Sequence, residues 1–164
     1  MQLKSYKLIS VLFIGIFFVF SCNDKEWFIS YYDIGQEWDS AEEAKFKFQN
    51  PPEDKANIYI LLRNDQKYQF SNIFLIASIN QDGKTIISDT LEYEMAEKSG
   101  KFLGKGYGPI KESKLYWKED FMFSSESKYS ISIRNAMRKS QEQFGIKTLP
   151  GIIGVGISID FNEE

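Results

Sequence analysis

Three stretches of this chain alternate apolar and polar residues with a period of two, and that periodicity limits the fold more than anything else in the sequence. Ala44-Lys45-Phe46-Lys47-Phe48-Gln49 puts Phe46 and Phe48 on one face and Lys45 and Lys47 on the other. Tyr129-Ser130-Ile131-Ser132-Ile133 repeats the pattern, and Ile152 to Phe161 aligns Val155, Ile157, Ile159 and Phe161. Successive side chains of a strand point to opposite faces, so each stretch reads as a strand with one face buried. Ala56 to Asn64 differs: Ile58, Ile60 and Leu62 share one face while Tyr59 and Leu61 occupy the other, as in a central strand covered on both sides.

The remaining segments fit the same plan. Trp27 to Ile34 reads as a first strand that ends at Gly35, and Gln36 to Glu43 is a polar connection containing Trp38. Pro51 and Pro52 break the chain after the second strand, since proline cannot continue a ladder. Asn72 to Asn80 and Thr85 to Leu91 flank Asp82-Gly83, a strong signal for a type I′ hairpin, in which both central residues need positive φ. Glu92 to Gly100 has room for one or two helical turns, with Glu94 and Lys98 four apart. Lys101 to Gly108 is glycine-rich and reads as a flexible loop closed by Pro109, and Leu115 to Phe123 is a further strand. Residues 134–144 read as a short helix ended by Gly145.

Eight or nine short strands without long amphipathic helices between them argue against parallel βαβ units. The expectation is an all-β fold, an antiparallel β-sandwich with the jelly roll among its forms, and at most one or two short helical segments.

The N-terminus follows another rule. Lys4 and Lys7 precede an apolar run from Leu8 to Phe20, followed by Ser21 and the chain's one cysteine, Cys22. A basic region, an apolar core of about a dozen residues and a small residue at the cut make a secretory signal. A membrane-crossing helix needs roughly 20 apolar residues. Val19-Phe20-Ser21-Cys22 resembles a bacterial lipobox, in which cleavage between Ser21 and Cys22 leaves a cysteine carrying diacylglycerol and an acylated amine. Two other readings are an ordinary cut near Ser21 that leaves a free thiol, and an uncleaved anchor. One acyl chain holds a protein marginally, at about 0.8 kcal/mol per buried CH₂, whereas two or three hold it stably.

The expected division is a signal peptide at 1–21, the lipidated cysteine and tether at 22–26, and a single sandwich domain at 27–164. Asn23-Asp24-Lys25-Glu26 is either a solvated linker or similar to the acidic surface-export signal of Bacteroidetes lipoproteins.

Removal of residues 1–21 from the 164 leaves 143, enough for one domain with a sizeable core. Lys4 and Lys7 leave with the signal, so 18 of the 20 basic residues then face 23 acidic ones. That acidity argues against nucleic acid, which needs a basic stripe, and against electrostatic docking on anionic lipid. With Cys22 committed to lipid no disulfide can form, so the fold rests on its core, to which 14 Phe and 9 Tyr contribute.

The chain has no histidine, which removes Ser/His and Cys/His nucleophiles and the commonest zinc ligand. Carboxylate pairs of the glycosidase kind could be drawn from Glu42/Glu43, Asp82/Asp89, Glu92/Glu94 or Glu119/Asp120, although any acidic surface offers such pairs. Gly104-Lys105-Gly106-Tyr107-Gly108 is followed by Pro109 and lacks the Lys-Ser/Thr ending and the helix of a phosphate loop. Neither a cofactor nor a metal is implied, and the expected protein is not an enzyme. Candidate protein-contact residues are Tyr107 in the glycine loop and Arg134 and Arg138 in the polar segment. Trp27, Trp38 and Trp117 could stack on sugars, which supports an alternative as a surface glycan-binding lipoprotein, or they could be packed in the core.

Several segments in fixed order resemble one family. Asn57 to Asn64 and Tyr68 to Leu75 are similar to the "LRN…Y…NLWL" core of the GldH gliding-motility lipoproteins of Bacteroidetes. Asp89-Thr90-Leu91 with Gly100 to Gly106 resembles their "D-x-L…G-x-W-x-G-x-G" stretch. Tyr129 to Arg138 resembles "Y-x-F-x-I-x-x-A-M-R", and Gly151 to Ile159 resembles "G-I-x-D-V-G-I-x-I". Phe74 and Phe102 stand where the family pattern has tryptophan, and Ile153-Gly154 replaces the acidic residue before Val155-Gly156. The resemblance implies an envelope lipoprotein, most naturally of the outer membrane, working with other proteins of the gliding and type IX secretion machinery. It supplies no reaction.

Overall fold

Alternation along the chain becomes layering in space. The computed structural model describes residues 26–138 and 145–161. It contains ten strands: β1 (Glu26–Asp33), β2 (Glu37–Asp39), β3 (Ala44–Gln49), β4 (Lys55–Asn64), β5 (Asn72–Gln81), β6 (Lys84–Glu94), β7 (Lys111–Met122), β8 (Lys128–Asn135), β9 (Thr148–Pro150) and β10 (Ile152–Phe161). Two four-stranded sheets, β1-β10-β4-β7 and β3-β8-β5-β6, form the sandwich, and β2 and β9 make a small third ribbon. Every pairing is antiparallel.

The pairings nest. β5 pairs with β6, β4 with β7, β3 with β8, β2 with β9 and β1 with β10. The chain is thus one long hairpin that turns at Asp82-Gly83 and is rolled until β10 meets β4 and β5 meets β8. This is the jelly-roll form of the sandwich. Asp82 and Gly83 have φ of 49° and 81°, as a type I′ turn requires.

The inward sets fill the space between the sheets. Ile58, Ile60 and Leu62 of β4 meet Ile73, Leu75 and Ile79 of β5 in one core with Ile131, Ile133, Val155, Ile157 and Ile159. Each such side chain contributes roughly 1.5–3 kcal/mol on burial. β4 is an interior strand as expected, and Leu61 on its outward face is also buried.

The expected helical turns are absent among the described residues. Glu92 to Glu94 complete β6, because Leu91, Tyr93 and Met95 keep turning inward with period two. That burial outweighs a single Glu94/Lys98 pair. The chain then bends through a turn closed by Gly100 (φ 84°) into an Ala96–Phe102 bridge. In the other segment Arg134 and Asn135 belong to β8, where Asn135 is buried and donates from Nδ2 to the Trp38 carbonyl at 3.2 Å. Ala136 N–H donates to the Phe74 carbonyl, extending that pairing, and residues 139–144 lie outside the described residues. The segment around Trp38, read as a polar connection, holds β2: Trp38 is fully buried opposite Leu149 of β9.

Candidate functional site

Strand direction sorts the connections between two ends. The end where β1 begins carries the connections at 50–54, 82–83 and 123–127. The opposite end carries the longer ones, 34–43, 65–71 and 95–110, together with residues 136–138 and 145–147 between β8 and β9.

All three contact residues expected from the sequence lie toward this second end. Tyr107 stands wholly exposed on the 95–110 connection. Arg134 is half-buried on the outer face of β8, and Arg138 is exposed just beyond it, at a bridge to Gly145. Among the described residues no contact joins the three, so they do not make a single site.

The glycine loop is a bridged bend. Lys105 and Glu112 exchange backbone hydrogen bonds of 2.8 Å in both directions, and Lys111 Nζ donates to the Gly106 carbonyl at 2.6 Å. A Cβ on Gly104 would stand 2.8 Å from the Glu112 carbonyl oxygen, and one on Gly106 2.7 Å from that of Ile110. The glycines allow backbone to approach backbone, and Tyr107 rides on the bend. No helix follows it, only Pro109 and β7.

A more coherent arrangement covers the outer face of the β1-β10-β4-β7 sheet. In register across the four strands lie Tyr31, Gly156, Leu61 and Lys114, flanked by the row Gly154, Arg63 and Glu112. Tyr31 Oη donates to Glu112 Oε2 at 3.1 Å, and Arg63 Nε donates to the same oxygen. The Arg63 guanidinium sits 3.9 Å from the Tyr31 ring centroid, a distance that suits a cation–π contact. Beside them Lys114 Nζ lies 4.5 Å from the Tyr59 centroid and pairs with Asp160 at 2.9 Å and Glu26 at 3.2 Å. Tyr59 meets Tyr116 edge-on at 5.4 Å.

The electrostatics follow from these contacts. Burial, then the Glu112 carboxylate, push the Tyr31 phenol above its ordinary range. The hydrogen bond that Arg63 donates to Glu112 raises the guanidinium further. Burial pulls Lys114 down, but Asp160 and Glu26 outweigh it and the net shift is upward. Both cations of this face are paired with carboxylates, leaving tyrosine rings and an oriented guanidinium at the surface. That is the composition of protein interfaces, which favour Tyr and Arg over Lys and Glu.

The sequence reading missed this face. Its signal lies in Gly154-Val155-Gly156-Ile157-Ser158, where large residues alternate with small ones. The large set marks the core; the small set leaves β10 bare, so side chains from β1 and β4 can meet above it.

The other candidates have local roles. Trp38 and Trp117 are buried, and Trp117 Nε1 donates to Asp89 Oδ2 at 2.9 Å; Trp27 is 37% exposed. Asp89 also pairs with Lys118, Asp82 accepts from Lys128 N–H, Glu92 accepts from Asn72, Glu43 pairs with Lys45 and Asp120 with Lys55. The outer face of the second sheet carries a polar trough of about 460 Å³ lined by Lys45, Lys47, Ser78, Asn80, Ser130 and Ser132.

Comparison with known proteins gives a consistent answer. The family model for the GldH lipoprotein matches residues 26–159. The chain is 39% identical over 154 residues to the gliding motility lipoprotein GldH homolog of Christiangramia forsetii, covering 93% of this chain and 95% of that protein. It is 37% identical over 153 residues to gliding motility lipoprotein GldH of Flavobacterium johnsoniae, covering 92% and 94%. Dimeric latent PorU of Porphyromonas gingivalis aligns with 81% of this chain and 12% of its own, at 11% identity and a TM-score of 0.36, too distant a likeness to bear on fold or function. With its strands matched from β1 into β10 and two relatives aligned over nearly their whole length, this chain belongs to the GldH lipoprotein family.

Proposed function

We propose that this protein is a non-catalytic lipoprotein of the gliding machinery and the linked type IX secretion system. In this reading it is held in the outer membrane by lipid on Cys22 after cleavage behind Ser21, and it works through contacts with other envelope proteins. The observation that carries it is the family match across the whole sandwich, with relatives named for gliding motility. The lipobox-like Val19-Phe20-Ser21-Cys22 supports the anchor. The ion-paired Tyr31/Arg63/Tyr116 face supports a protein partner, with Tyr107 and Arg138 as further contact points at the end opposite the start of β1.

The test is deletion of the gene, scored by colony spreading and by protein secreted into the medium. Loss of either, restored by the wild-type gene but not by a Cys22→Ala form, is the expected result. Normal spreading and secretion with slow growth on one polysaccharide would instead favour a glycan-binding lipoprotein, for which the hydroxyl-lined trough is the supporting feature.

A further inference from the structure

At the end where β1 begins, aromatic rings run continuously across the first sheet. Trp27 of β1 meets Phe161 of β10 at 5.6 Å, Phe161 meets Phe123 at 6.2 Å, and Phe123 meets Phe121 of β7 at 4.7 Å. Two side chains at the margins of this ribbon are open to solvent: Trp27 on β1, and Met122 on β7, which is 55% exposed because the strand turns it outward between Phe121 and Phe123. β1 enters and β10 leaves the sheet at the Trp27 corner, and among the described residues no connection between strands crosses it.

The chain itself names an occupant. Three residues, Asn23 to Lys25, separate Cys22 from Glu26, so the four chain steps between them reach at most about 14 Å even when fully extended. If Cys22 carries lipid, the ribbon is therefore held within about a headgroup layer or two of the hydrocarbon, whose polar margin is several ångströms deep on each side. Tryptophan is the side chain that settles at that boundary, with its ring in the apolar margin and its N–H toward water. Among the described residues the exposed charges around this end include Glu26, Glu53, Asp54, Asp82, Glu119, Asp120 and Glu126 against Lys55, Lys84 and Lys128, an acidic balance that favours zwitterionic over anionic headgroups.

We propose that the Trp27–Met122 ribbon is a lipid-contact surface that seats the sandwich on the membrane. It would hold the molecule upright and project the 65–71 and 95–110 connections away from the bilayer. This rests on the lipid anchor proposed above and adds an orientation to it.

The experiment uses the purified full-length lipoprotein in zwitterionic vesicles whose acyl chains are brominated near the glycerol end. Trp38 and Trp117 are buried, so bromine quenching reports on Trp27. Expected results are a loss of tryptophan emission that Trp27→Phe removes, a smaller loss in Met122→Glu, and weaker quenching when anionic lipid is mixed in. Met122 is exposed, so its substitution leaves the core intact and tests the surface by itself. Flotation of the protein with the vesicles but no quenching overturns the lipid contact and leaves the anchor standing. If Trp27 is then shielded from acrylamide only at high protein concentration, the ribbon belongs to a second copy. Failure to float overturns the anchor and the contact together.

Discussion

Tyr31 of β1 lies across Gly156 of β10 so closely that a methyl group on the glycine would stand 2.7 Å from the ring Cδ1. It would also stand 2.8 Å from the Ser30 carbonyl oxygen. With nothing projecting from Gly154 and Gly156, the Tyr31 ring and the Arg63 guanidinium, carried by strands about 10 Å apart, close over the strand between them to 3.9 Å. Glu112 of β7 then ties both. A face built in this way holds its side chains to one another, so the protein partner proposed for it would cost little side-chain freedom on docking.

Gly156→Ala should destabilise the domain by about 1–3 kcal/mol, the usual cost of forcing a methyl into a filled space. Urea unfolding measures it. In a Tyr31→Ala background the ring part of the clash disappears and only the backbone part remains, so the double substitution should cost less than the sum of the two. Strict additivity would mean that Tyr31 does not lie against Gly156.

Gly151→Ala should be far more damaging. Gly151 has φ of 84°, and its Cβ would fall 2.0 Å from the Tyr68 backbone nitrogen, a collision that no side-chain movement relieves. The expected loss is roughly 4 kcal/mol or more, at the extreme of single substitutions. Soluble expression should fall sharply, and thermal unfolding of any purified fraction should confirm the loss.

Trp38→Ala should cost about 3–5 kcal/mol as a cavity in the core, and it should loosen β2 from β9, which pair over only three residues. Trp27→Ala, at an exposed position, should change stability much less. Comparing the thermal midpoints of the two variants checks the contrast between these tryptophans.

Asp89 makes stability depend on acid. The hydrogen bond from Lys118 holds its carboxyl below the ordinary 3.8, with burial opposing and Trp117 Nε1 assisting. A group whose pKa is lower in the folded state stabilises the fold above its unfolded value, and that contribution is lost as pH falls through the folded value. Urea midpoints should therefore decline below about pH 4. Asp89→Asn should be less stable than wild type at neutral pH and converge with it in acid; parallel pH profiles would remove Asp89 from the account.

The sandwich was legible because period two is a property of the chain itself. Phe46/Phe48, Ile131/Ile133 and Val155/Ile157/Ile159 could bury only as strands, and Asp82-Gly83 fixed the central turn by its need for positive φ. β2 and β9 were not legible, because three residues hold no period and Trp38 is buried only once Leu149 arrives from 111 positions along the chain. The helical reading of residues 92–100 failed for a related reason. A Glu94/Lys98 pair is a weak local preference, and burial of Tyr93 and Met95 decided against it.

The sequence alone thus determined the all-β class, the strand faces, the central hairpin and, by resemblance, the family. Only the tertiary structure decided the nested pairing that rolls the hairpin up, the Tyr31–Arg63–Glu112 face and the ribbon from Trp27 to Phe121. Local pattern says which side of a strand is buried. It cannot say which strands lie side by side, because that choice is made by packing between residues far apart in the chain.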